Sequence, residues 1–193
     1  MQGAESRGGA VDGQPGARDR NIDGRAQNQR PRDRYGRPLP YGSPGVPRVP
    51  DDAVFAPDEG LDEAQRLLDE GYAFHAHEVL EAVWKGVEGP ERELWRGLAQ
   101  IAVGLTHAQR GNRVGAARLL RRGAGAVEPF APGAPFGVDA AGAAACARSV
   151  ADAVEEGADA PVDPAALRLR RGGRDQPGLP PGPSGPPRPP GPA

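Results

Sequence analysis

Proline and glycine crowd the two ends of this chain, and that placement limits how much of it can fold. The 29 glycines and 23 prolines exceed a quarter of the 193 residues, a fraction that signals disorder when it is spread evenly. Residues 1–52 mix Arg, Asp, Gly, Pro and Gln with almost no aliphatic side chains. They cannot bury enough apolar surface to offset the entropy of ordering. Residues 172–193 read GGRDQPGLPPGPSGPPRPPGPA, and prolines lacking an N–H favour extended polyproline II over any packed element. The sequence therefore predicts a disordered tail over 1–52, a folded domain over 53–171 and a second disordered, Pro/Gly-rich tail over 172–193. The PxxP spacings of that second tail are read as a solubilising stretch in preference to a ligand for an aromatic groove.

The formal net charge of -2 gives no overall field to attract nucleic acid or anionic lipid. Lys85 is the only lysine among the 24 basic residues. Such an arginine bias, beside abundant Ala, Gly and Pro, is what GC-rich codons produce, so arginine clusters are given reduced functional weight. The single cysteine, Cys146, makes neither an internal disulfide nor a Cys-based zinc site and reads as a small core residue. The first ten residues lack the apolar run of a secretion signal, and no stretch approaches the about 18 apolar residues of a membrane helix. A cytoplasmic protein with no membrane partner is the expectation.

Between the tails the apolar residues recur with the period of helices. Leu61, Ala64, Leu67 and Leu68 share one face of a first helix that ends at Gly71. A second helix runs from about Tyr72 to Lys85, stopped by Gly86 and Gly89-Pro90. Pro90 suits the first position of a third helix, with Glu91 and Glu93 favoured in its first turn, and that helix lasts to Arg110. Gly111-Asn112 reads as a left-handed stop followed at once by an N-cap. A fourth helix then covers about Arg113 to Val127, and an alanine-rich fifth covers about Val138 to Glu156. Asp163-Pro164 opens one last short turn, and no segment alternates with the period of a strand. The predicted fold is all-α, a bundle of about five helices built from antiparallel hairpins.

On the second helix, His77 and Glu81 fall between Trp84 on one side and Phe74 on the other, at the edge of the apolar arc. A half-buried carboxylate costs several kcal/mol unless it is paired, so Glu81 needs a partner. On the third helix Glu93, Gln100 and His107 recur every seven residues, joined by Arg96, and make one polar row. Gly97 and Gly104 border that row and admit a neighbouring backbone. Two readings compete. In the first, Glu81 pairs with Arg96 while His77 and Gln100 complete a hydrogen-bond network that fixes helix register. In the second, His77 and Glu81, at i and i+4, ligate a divalent metal with His107 or Glu93, and Glu78 acts as a base. The stretch His77-Glu78-Val79-Leu80-Glu81 lacks the second histidine of the zinc signature it partly matches. The candidate cluster is thus His77, Glu78, Glu81, Arg96, Gln100 and His107, with no catalytic residue assigned and no cofactor identified.

His75 falls on the polar side of the second helix and is expected to be solvated. Arg118, Arg121 and Arg122 give the fourth helix a basic face, but no aromatic residues interleave with them for base stacking. That speaks against a nucleic-acid partner.

The stretch Phe74-His75-Ala76-His77-Glu78-Val79-Leu80-Glu81-Ala82-Val83-Trp84, then Gly97-Leu98-Ala99-Gln100-Ile101-Ala102-Val103-Gly104-Leu105-Thr106-His107 and Arg110-Gly111-Asn112, resembles the domain of unknown function 309 family. The resemblance covers about residues 57 to 130 and implies a compact helical bundle of bacterial type. Its polar positions are His77, Glu78, Glu81, Trp84, Gln100, His107, Arg110 and Asn112. The chain departs from the family pattern at His75 and in its fifth helix, and the resemblance supplies no activity. The expectation is a non-catalytic module that binds a protein partner or self-associates, set against a metal-binding protein or metal-dependent hydrolase using the His/Glu cluster.

Overall fold

The computed structural model describes residues 30–171, apart from 48, 51 and 158–161. The tail expected over 172–193 and the first part of the tail over 1–52 lie outside the described residues. Five helices account for the fold: α1 (Pro57–Asp69), α2 (Ala73–Gly86), α3 (Arg92–Gln109), α4 (Arg113–Val127) and α5 (Ala140–Glu155). Among the described residues there is no strand, and two isolated bridges, Arg32 with Pro38 and Val138 with Arg170, are the nearest approach to one. No helix among them is long and apolar enough to cross a membrane.

Local chemistry sets the boundaries. Gly111, at φ +76°, takes the left-handed conformation that side chains resist. Asn112 N returns to the His107 carbonyl at 2.9 Å, and the Asn112 side chain accepts from Gly115 N at 3.0 Å to start α4. Asp139 does the same for α5, accepting from Gly142 N at 3.1 Å. α3 begins at Arg92, two residues later than Pro90 suggests. Glu93 N bonds the Pro90 carbonyl at 3.2 Å and Leu94 N the Glu91 carbonyl at 3.0 Å, so the chain makes a tight turn before the helix and only Glu93 sits in its first turn.

Leu61, Leu68, Leu80, Trp95, Ile101 and Leu120 are among the fully buried side chains of the core. α3 and α4 pack most closely. Gly97 faces Gly123, Ala126 and Val127, whereas Gly104 faces Leu120, so residue numbers rise on one helix as they fall on the other. α2 and α3 behave likewise: Arg92 Nε donates to the Trp84 carbonyl at 3.2 Å, and Gln109 Nε2 to the Gly71 carbonyl at 3.1 Å. After α5 the chain returns to α1, where Gln65 holds the Leu167 carbonyl at 3.2 Å and Leu169 N at 2.8 Å.

Residues 30–47, which the sequence places in the first tail, form an ordered strap across α2 and the end of α3. Its turns close internally: Leu39 N bonds the Pro31 carbonyl at 2.7 Å and Val46 N the Arg32 carbonyl at 3.0 Å. The Asp33 carboxylate accepts from Tyr35 N at 2.9 Å and Arg37 N at 2.8 Å. Gly36, at φ +73°, lies so close to the Phe74 ring that a Cβ there would collide with it. A strap this poor in aliphatic residues borrows its apolar surface from the aromatic side chains of α2 and fills it with guanidinium groups.

Candidate functional site along the second helix

An open cleft of about 570 Å³ runs beside α2. One wall is Val49, Pro50, Asp52, Ala53 and Val54; the other is Phe74, His77, Glu78, Glu81, Ala82 and Lys85. Helical spacing puts residues 74, 78, 81, 82 and 85 on this one face of α2.

His77 is half-buried, and its Nδ1–H donates to the Phe74 carbonyl. A carbonyl can only accept, so this bond settles the tautomer and leaves the Nε2 lone pair toward Glu81 Oε2, 3.6 Å away. Burial is the main cause that holds the His77 imidazole below its ordinary pKa; the Phe74 carbonyl and Glu81 oppose it, and Arg110 and Arg32 add to it. At neutral pH the ring is therefore uncharged.

Glu81 has the partner its position demands, but not the expected one. It pairs with Lys85 Nζ at 3.0 Å, its side chain still 39 % exposed. Arg96 turns to Glu93, three residues back on its own helix. Partners one turn away cost little chain entropy to reach, so local pairs displaced the predicted Glu81–Arg96 bridge between helices. His107 is also engaged locally: Asn112 Nδ2 donates to its Nδ1 at 2.8 Å. Of the six candidates, His77, Glu78 and Glu81 line the cleft, whereas Arg96, Gln100 and His107 are not part of its lining. Among the described residues no group of three or more His, Cys, Asp or Glu side chains is arranged to hold a metal ion. The His77–Glu81 pair supplies two ligands at most.

His75, expected in solvent, is 1 % exposed. The Tyr72 and Phe74 rings meet it edge-on, with centroids at 5.8 Å and 5.3 Å. Gly45, Val46, Pro47, Val49 and Pro50 lie across that side of the helix, and a wheel of α2 alone could not show this cover. The same segment explains the residues that sequence reasoning missed. Arg110 Nε donates to the Tyr35 main-chain carbonyl at 2.7 Å. Arg32 and Arg110 hold their guanidinium groups 5.1 Å and 5.7 Å from the centre of the Phe74 ring. The available signal was the run Arg32-Asp33-Arg34-Tyr35-Gly36-Arg37 ahead of an aromatic-rich helix.

The basic face of α4 is partly neutralised, because Arg121 pairs with Asp152 at 2.8 Å and with Glu155 at 2.5 Å on α5. Cys146 packs against the core, and burial pushes its thiol pKa up, which disfavours the reactive thiolate.

Residues 61–119 match the family described as Domain of unknown function (DUF309). The matched stretch runs from α1 into α4, lies inside the span read from the sequence and contains all six candidate residues. No curated protein and no solved structure matches the chain.

Proposed function

We propose that this helical unit is a non-catalytic interaction module whose α2–α3 face binds extended polypeptide segments. The observation that supports this reading is the strap. Arg110 grips a main-chain carbonyl at Tyr35, a contact indifferent to side-chain identity, while Gly36 lies flat on Phe74. A face that holds one Pro- and Gly-rich segment through its backbone has the chemistry to hold another, from a second copy or from a partner protein. The metal-dependent alternative keeps His77 and Glu81 as ligands and Glu78 as a base, because His107 is engaged by Asn112 and Glu93 by Arg96.

Gly36→Val in the full chain tests the proposal, since any side chain at this position meets Phe74. The variant should expose Arg30–Arg37 to trypsin and should bind a labelled peptide of residues 30–47 that the unaltered chain, its face occupied, binds weakly. If the variant is cleaved faster yet takes up no peptide, and neither form self-associates or captures a partner by cross-linking, the module reading fails.

A further inference from the structure

Two populations of arginine coexist in this chain. Arg66, Arg96, Arg121, Arg148, Arg168 and Arg170 each meet a carboxylate. Among the described residues the arginines around the strap meet none. Arg30 lies over the Tyr41 ring at 5.2 Å, Arg34 over Tyr35 at 5.3 Å and over Tyr72 at 5.9 Å, and Arg37 over Tyr35 at 5.2 Å. Arg32 and Arg110 rest on Phe74 and direct N–H groups at the Gly36 and Tyr35 carbonyls. Among the described residues none of these five forms an ion pair with a carboxylate. The one acid of the strap, Asp33, caps the Tyr35 and Arg37 amides. Within residues 30–47 four arginines stand against one carboxylate, an excess of about three positive charges on a chain whose net charge is -2.

We propose that the strap forms a binding surface for single-stranded nucleic acid. Unlike Arg32 and Arg110, whose N–H groups go to main-chain carbonyls, Arg30, Arg34 and Arg37 meet aromatic rings, and a guanidinium so placed presents the fork that matches phosphate oxygens. A base stacks on a planar guanidinium as it does on an aromatic ring. Arg30, Arg34 and Arg37 are exposed and sit on a chain that folds back on itself, closed by the Arg32–Pro38 bridge and by the Gly36 N bond to the Asp33 carbonyl at 2.8 Å; their charges are concentrated on one short stretch, which suits a flexible partner with closely repeated phosphates. An acidic peptide would meet the charge but leave the stacked planes unused. This surface rests on the strap being held as described, and it lies on the strap's outer side.

The experiment is fluorescence anisotropy of the full chain with a fluorescein-labelled 12-nucleotide oligouridylate. With about three phosphates contacted, raising salt from about 50 mM to about 200 mM should weaken binding roughly 20-fold. The double variant Arg34→Gln/Arg37→Gln should weaken it at least about tenfold at the lower salt with an unchanged melting temperature, whereas Arg118→Gln/Arg122→Gln on α4 should leave it as it was. Arg34→Lys/Arg37→Lys should keep the salt dependence while losing part of the affinity, because lysine carries charge but no stacking plane. Absence of binding at the lower salt, equal losses in the two glutamine pairs, or displacement of the RNA by polyglutamate of equal charge would overturn the proposal; the last would identify an acidic protein as the partner. Trypsin cleavage within residues 30–37, followed in parallel, separates a strap that has come loose from a docked strap that binds no RNA.

Discussion

The α3–α4 seam and the outer face of α2 both bring glycine against a neighbour, and they do so for opposite purposes. In the seam, Gly97, Gly104 and Gly123 let two helix backbones approach until a Cβ on Gly123 would stand 2.8 Å from the Gly97 carbonyl and 3.0 Å from Ile101 N. At Gly123 little can give way, because two of the three nearest obstructing atoms are backbone. On the α2 face, Gly36 meets the Phe74 ring, and the surroundings are guanidinium groups, a neutral imidazole and an open cleft. The first contact makes the bundle, whereas the second attaches a segment to a bundle already made. Stability should therefore concentrate in the seam, and ligand-dependent change in the face.

Gly123→Val attacks the seam and should have the largest effect, a loss of about 3 kcal/mol in denaturant unfolding, because overpacking against rigid backbone cannot relax. A loss below about 1 kcal/mol would mean that the seam is softer than its spacing indicates. Phe74→Ala removes the half-buried ring that carries Gly36, Arg32 and Arg110, and should cost about 2 kcal/mol, less than a fully buried phenylalanine. Its signature is local: tryptic cleavage in residues 30–37 should speed up more than global unfolding does.

Acidification probes the imidazole. His77 is held below the ordinary histidine value near 6.5, so the unfolded chain binds its proton first as the pH falls. The contribution of His77 is complete above the unfolded value and is lost as the pH drops from about 6.5 toward the lowered folded value. Urea midpoints at pH 7.5 and pH 5 should differ more for the unaltered chain than for His77→Gln; equal differences would remove His77 from the account.

Smaller still is Glu81→Gln, expected to cost less than about 1 kcal/mol, because its partner Lys85 is exposed and on the same helix. A cost of several kcal/mol would show that Glu81 bridges to α3 after all. Least of all should be the effect of a chelator: EDTA is expected to leave the melting temperature unchanged, and elemental analysis of untagged protein should find no stoichiometric metal. A metal found there would revive the hydrolase reading of His77, Glu78 and Glu81.

The helices were legible because their signals are local. Gly111-Asn112 stops one helix and starts the next through bonds that span five residues, and the apolar positions of α1 repeat along one face whatever they pack against. The bounds of α4 agree with the sequence reading to the residue. The candidate cluster was legible only by halves. His77 and Glu81 were placed correctly at the edge of the core, but a wheel cannot say whether Glu81 reaches across to Arg96 or along to Lys85. That choice depends on side-chain reach, and the nearer partner won. His75 was misplaced because its surroundings lie off α2: Gly45, Val46 and Pro47 of the strap and Glu63, Arg66 and Leu67 of α1 gather beside it.

By itself, the sequence determined which residues could become helices, where each helix would stop, and which face of each would be apolar, since these follow from backbone preference and from burial periodicity over a few neighbours. Only the tertiary structure decided that residues 30–47 belong to the folded surface. No local signal orders a segment so poor in aliphatic side chains. Its contacts come from Phe74, Tyr72 and Arg110, more than 30 residues away, and cation–aromatic attraction acts only once the chain has brought those groups together.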